Sequence, residues 1–281
     1  MLTEHEYRSA PGISRSQLWK LHDSSPEKFK WWLDHPEEPT PALIFGQAAH
    51  KMLLEPDGFD EAFIVSPGFD RRTKEGKAAY AAFCAAKGDK TEIGPADYET
   101  IKAMVEKFRT DPLVSWVLNP RIPSWVERER PFFWTDEYTG EKCKCRCDIL
   151  LKSPDDPGAI IVDYKSAQSA NSDIFNREIF RRGYHVQAAM YAAGVKAALN
   201  LSETPQFVFV VQEKTPPYAL NVIETPQEVM IYGQDVFREL LGQYHECKET
   251  GYWYGYCGPF EEPNAAYLPG WLQIGTDENE E

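Results

Sequence analysis

The hydrophobic pattern changes character near Pro120. Before it, apolar positions recur at three- and four-residue intervals, the spacing of one helix face. Ser14 or Ser16 is placed to cap a short helix through Leu21, and Pro26 suits the first turn of another through Leu33. Pro41 opens a third helix over residues 42–54 that Pro56 closes, and residues 74–87 and 95–109 read as two more. After Pro120, residues 124–134, 142–151 and 159–165 alternate or run apolar as strands do, with turn signals at Thr139-Gly140 and over residues 154–158. Residues 172–182 and 184–199 return to helical spacing. Residues 206–212 and 218–224 predict two further strands, and a long helix is expected over residues 226–248.

This order predicts an α/β fold: a mixed central sheet flanked by helices, behind a helical N-terminal third. No internal repeat and no Pro/Gly/Ser-rich linker divides the chain. One domain over residues 1–260, followed by an acidic tail over residues 261–281, is therefore expected.

Composition sharpens the class. An apolar share of 42% excludes a disordered chain, and no run is long and apolar enough to predict a membrane span. The N-terminus lacks the basic-then-apolar order of a secretory signal, so a cytoplasmic protein is expected. Net charge is −14, which at first argues against a nucleic-acid partner. The tail alone holds six acids and no Lys or Arg, and basic clusters survive elsewhere: Arg71, Arg72, Lys74 and Lys77; Arg177, Arg181 and Arg182; and Lys142, Lys144 and Arg146 on alternating positions. Of six cysteines, Cys143, Cys145 and Cys147 share one strand face about 7 Å apart, too far for easy pairing. Small core fillers in a reducing compartment is the reading that fits.

The candidate chemistry lies on the strands. Asp163 and Lys165 are two residues apart in Ile160-Ile161-Val162-Asp163-Tyr164-Lys165, so a strand sends both to one face. If residues 142–151 pair with that strand as a hairpin, Asp148 converges on them. Two close carboxylates repel unless a hard divalent cation lies between them. His50 stands one helical turn after Gly46, whose missing side chain lets that helix face lie close to another backbone, and a neutral imidazole there offers a nitrogen ligand. Gln187 and Tyr191 share a helix face at i and i+4. Each feature alone is commonplace, an ordinary surface pair or a structural histidine.

In this order they resemble the RecB-like branch of the PD-(D/E)XK nucleases, and more closely the C-terminal nuclease domain of RecE-type exonucleases. The likeness extends to Pro11-Gly12-Ile13-Ser14-Arg15-Ser16-Gln17-Leu18, Phe69-Asp70-Arg71-Arg72-Thr73 with Gly76-Lys77, Cys145-Arg146-Cys147-Asp148, Tyr184-His185-Val186-Gln187 and Phe207-Val208-Phe209, covering roughly residues 7–245. It departs in the acid of the D-x-K, Asp163, where many nucleases have Glu.

The resemblance implies a Mg²⁺-dependent exodeoxyribonuclease, with Mn²⁺ able to substitute and two ions per site. It would degrade one strand of linear double-stranded DNA from the 5′ end and leave 3′ overhangs for recombination. It also implies a toroidal homotetramer and a RecT-like single-strand annealing protein as partner. His50, Asp148 and Asp163 would be metal ligands, with a backbone carbonyl of Val162 or Tyr164 beside them. Lys165 would position the attacking water, and Gln187 with Tyr191 would brace the phosphate. Glu129 is a further candidate ligand, although Glu127 has the same parity. Arg71, Arg72 and Lys77, and with them Lys144 and Arg146, are candidate DNA contacts. Two alternatives stand beside this reading: a DNA-end-binding recombination scaffold that has lost the chemistry, and a structure-specific endonuclease of the same superfamily.

Overall fold

A computed structural model describes residues 4–118, 125–153, 157–258, 262–263 and 265–267. Most of the expected acidic tail falls outside the described residues. Eleven α-helices are found among those described: α1 (Glu4–Ser9), α2 (Arg15–His22), α3 (Pro26–Asp34), α4 (Pro41–Leu54), α5 (Phe59–Ala62), α6 (Lys74–Lys87), α7 (Pro95–Thr110), α8 (Ser115–Leu118), α9 (Ser172–Arg181), α10 (Tyr184–Leu199) and α11 (Gln227–Thr250). The strands are β1 (Phe63–Val65), β2 (Thr91–Ile93), β3 (Val126–Thr135), β4 (Lys142–Leu151), β5 (Ile160–Ala167), β6 (Gln206–Glu213) and β7 (Leu220–Glu224).

The helix starts follow local chemistry. Thr40 accepts from the amide of Leu43 with Pro41 in the first turn of α4, and Ser25 does the same for Lys28 ahead of Pro26 in α3. At α2 the Gln17 side chain reaches back to accept from the Ser14 amide at 2.9 Å.

Strands β3 to β7 form one five-stranded sheet in sequential order. The pairs β3–β4, β4–β5 and β6–β7 are antiparallel, while β5 and β6 run parallel, joined through α9 and α10. Such a parallel pair needs a long crossover, which the two helices supply. Helices cover both faces. One face packs Ile149, Val162, Tyr164 and Val210 against α4, α7 and α8. The other packs Cys145, Cys147, Ile161, Phe207 and Phe209 against α9 and α10, and α11 closes a third cluster with Cys143, Phe29 and Leu18. The three strand cysteines are thus fully buried filler, as expected, and burial pushes the Cys143 thiol up to about 12.

Ionic contacts at two buried carboxylates fasten α11 to the β3–β4 turn. Arg238 pairs with buried Asp136, and Lys248 and His245 reach buried Glu141 at 2.7 and 3.0 Å. The aromatic segment after α11 also packs inward: Trp253 lies 5.9 Å from the Phe29 ring and 6.1 Å from that of Tyr244. In the N-terminal third, β1 and β2 form a small parallel pair that the hydrophobic pattern did not predict. No helix among the described residues is long and apolar enough to cross a membrane.

Candidate active site

The alternation of β3 and β4 breaks at one level. On β4, Cys147 and Leu150 both belong to the α10 side of the sheet, and Ile149 to the α4 side. On β3, Val126 and Phe132 lie on opposite sides despite their even spacing. Between the paired rungs Arg128–Ile149 and Arg130–Cys147 stand Glu129 and Asp148, and Glu129 has φ of 48°. That left-handed backbone is unfavourable for a residue with a Cβ and turns the side chain off its regular course.

The result is a cluster. One ligand atom each from His50, Glu129 and Asp148 lie within 4.8 Å of one another. His50, on α4, sits edge-on to the Tyr164 ring at 5.1 Å, with Nδ1 3.4 Å from Asp148 Oδ2. The same Asp148 oxygen accepts from the Tyr164 amide at 2.8 Å, immediately past the last β4–β5 rung, Ile149–Val162. Glu129 is 7% exposed and is held by Arg146 at 2.8 Å, which in turn lies over the Tyr7 ring. Glu127, the other candidate, pairs with Arg130 and is not part of this cluster.

Asp163 does not join that cluster. It is 1% exposed, with Oδ2 paired to Lys165 and Oδ1 accepting from Gln187 Nε2. Burial raises its carboxyl above the ordinary range against the pull of Lys165, and the nearby charge of Asp148 adds to the rise. Burial works most strongly against the Lys165 ammonium, but the charges of Asp163, Tyr184 and Asp148 together outweigh it and hold the amine above its ordinary value. Lys165 therefore stands as a cation beside two carboxylates, its Nζ 4.8 Å from the centre of the Tyr184 ring.

Other expectations need correcting. Lys144 is 5% exposed and donates to the carbonyls of Tyr7, Arg8 and Ala10 at 3.2, 2.9 and 2.6 Å, so it anchors the N-terminal segment and is not available to DNA. Arg146 serves Glu129. Tyr191 packs into the core beside Phe207, where burial raises its hydroxyl, and Gln187 is engaged with Asp163 and Arg15. Gly46 is not a point of close approach: a Cβ there would meet only Ser166 Oγ at 4.0 Å. Of the remaining basic residues, Arg72 pairs with Asp70 at 2.9 Å, Arg71 covers the Tyr80 ring at 4.6 Å and Lys77 is exposed on α6, a helix that buries none of its residues. Arg181 and Arg182 both pair with Glu178. Arg15, at the start of α2, also reaches Gln187, and its one signal in the sequence is the Ser14-Arg15-Ser16 stretch.

The donor set of the cluster, one imidazole nitrogen and two carboxylates, suits a hard or borderline divalent cation such as Mg²⁺ or Mn²⁺. A second group among the described residues, Glu141, His245 and Glu249, already has Lys248 on its buried carboxylate.

Comparison with known proteins places this geometry. The family model described as a PDDEXK-like domain of unknown function (DUF3799) matches residues 14–264. Among solved structures, the protein described as "Putative exonuclease" from Eubacterium rectale superposes with a TM-score of 0.60 at 16% identity, covering 89% of this chain and 87% of that one. The protein SSO0001 gives a TM-score of 0.37 at 12% identity, over 86% and 79% of the two chains, too low to argue from. No curated protein matches the chain. The first likeness shows a shared fold, and the family match spans nearly the whole chain. The chain belongs to the PDDEXK-like family DUF3799, and thus to the PD-(D/E)XK nuclease superfamily.

Proposed function

We propose that this protein is a divalent-metal-dependent exodeoxyribonuclease that degrades one strand of linear duplex DNA from its 5′ end and leaves 3′ overhangs for recombination. The observation that carries this reading is the His50–Glu129–Asp148 cluster set beside the buried Asp163–Lys165 pair. His50, Asp148 and Glu129 would hold the cation, while Asp163, with both oxygens engaged, would hold Lys165 beside it. A cation held there supplies Lewis-acid stabilisation of the charge that builds on the scissile phosphate. Lys165 contributes a fixed positive charge and N–H donors for the attacking water and phosphate oxygens, and Asp163 and Tyr184 keep that amine in place. The Tyr164 amide holds Asp148 by the one oxygen that also faces His50.

The exonuclease activity, its 5′-to-3′ polarity, a ring-shaped homotetramer and a RecT-like annealing partner are drawn from the RecE-type resemblance, and the structural neighbour from Eubacterium rectale carries the description "Putative exonuclease". Arg71 and Arg72, in the turn before α6, and Lys77 on α6 are proposed to meet the DNA backbone.

The test is digestion of linear duplex labelled at either 5′ or 3′ ends with Mg²⁺, beside Lys165→Ala. Early release of 5′ label as mononucleotide is expected, with the variant inactive. Early loss of 3′ label would reverse the polarity. Internal cutting of nicked circles would favour the endonuclease reading, and DNA binding without cleavage the scaffold.

A further inference from the structure

Asp163 is oriented by a relay that starts in α2. Gln187 Nε2 donates to Asp163 Oδ1, and Gln187 Oε1 accepts from Arg15 Nη2 at 2.7 Å. Gln187 is 3% exposed, so its amide must find its partners inside the protein. An amide group presents either its oxygen or its NH₂ in a given direction. A guanidinium only donates and a carboxylate only accepts, so with Arg15 on one side the NH₂ must face Asp163. Arg15 is itself fixed: Nη1 donates to the Arg182 carbonyl at 3.2 Å, and the guanidinium lies 5.6 Å from the centre of the Tyr184 ring. That ring also borders Lys165 Nζ, so α2 and the Lys165 amine meet on the same aromatic surface.

We propose that Arg15 is a positioning residue of this site: by fixing the Gln187 amide it delivers a donor to Asp163 Oδ1 and leaves Oδ2 to hold Lys165. Its effect on rate rests on the nuclease reading above; the relay itself does not. Arg15 touches neither the His50–Glu129–Asp148 cluster nor Lys165 by any hydrogen bond or ion pair found among the described residues, and it acts through Gln187.

Two measurements test this. In the metal-free protein, the Gln187 side-chain amide is followed in ¹H–¹⁵N spectra of wild type, Arg15→Ala and Arg15→Lys. The alanine variant should shift that pair and speed its hydrogen exchange by roughly tenfold or more. The lysine variant, which keeps a donor and guards against an unfolded alanine variant, should restore part of the protection. On linear duplex with Mg²⁺, Arg15→Ala should lower kcat by about tenfold with KM nearly unchanged, and should lower it no further in a Gln187→Ala background. An unchanged Gln187 signal overturns the proposal. So does a rise in KM alone, which would make Arg15 a phosphate contact, or a multiplicative loss in the double variant. If the wild type cleaves no DNA, the nuclease reading falls while the Gln187 resonance still decides the relay.

Discussion

Glu129 and Asp148 face each other across the β3–β4 pair at the level where its ladder skips a rung, and both depart there from their strands' alternation. Two adjacent strands thereby present carboxylates to one helix, α4, which brings His50.

This geometry makes Asp148→Asn informative. The asparagine oxygen can still accept from the Tyr164 amide, so the fold should survive with little change in melting temperature. Loss of the charge should weaken Mn²⁺ binding, read by calorimetry, and lower cleavage by at least about a hundredfold. Retained Mn²⁺ affinity would remove Asp148 from the ligand set.

Lys144 predicts a stability effect without a DNA effect. Replacing it with Met leaves three carbonyls of the N-terminal segment without their donor and should destabilise the protein by about 2–3 kcal/mol in urea unfolding. A variant as stable as wild type but weaker on DNA would make Lys144 a DNA contact instead.

Two glycines should behave oppositely. At Gly233 an added Cβ would come within 2.2 Å of the His185 carbonyl where α11 crosses α10, so Gly233→Ala should lower stability by about 1–3 kcal/mol. At Gly46 the space is open, and Gly46→Ala inside α4 should be neutral or stabilising by up to about 1 kcal/mol. Thermal melts of both variants decide it.

Acid should loosen α11. Burial alone would raise Asp136 and Glu141, but Arg238, and then the Thr139 amide and hydroxyl, bring Asp136 below its ordinary 3.8, while Lys248 and His245 bring Glu141 below 4.5. Each carboxylate therefore contributes stability fully above its unfolded value and loses it as pH falls through the depressed folded value. Urea midpoints measured from about pH 6 to pH 3 should drop at the acid end, and Asp136→Asn should flatten that drop. An unchanged acid limb in the variant would count against this account.

Much of this arrangement is legible along the chain, for physical reasons. Strand β4 ends at the residues its alternation implies, and α4, α6 and α10 begin and end within a residue of their caps and prolines. Strands β1 and β2 escaped because three residues cannot display a period of two, and α5 and α8 because four cannot display 3.6. Lys144 looked solvent-facing because nothing near it in sequence reveals that Tyr7, Arg8 and Ala10 will cover it. The turn of Glu129 has no local signal at all, since a glutamate at positive φ is held there by its surroundings. Arg15 was hidden for the same reason, its partner lying on α10.

The parallel pairing of β5 with β6 has a consequence for how the protein comes into being. The β3–β4–β5 meander can close from neighbouring chain, but β5 acquires its other neighbour only after α9 and α10 have been made and folded across. Gln187 arrives with that crossover, to meet an Asp163 already in the meander and an Arg15 from near the start. A nascent chain thus carries the acids well before it carries the arrangement that orients them. The contacts that orient the site are completed by the crossover, after the strands that carry its acids.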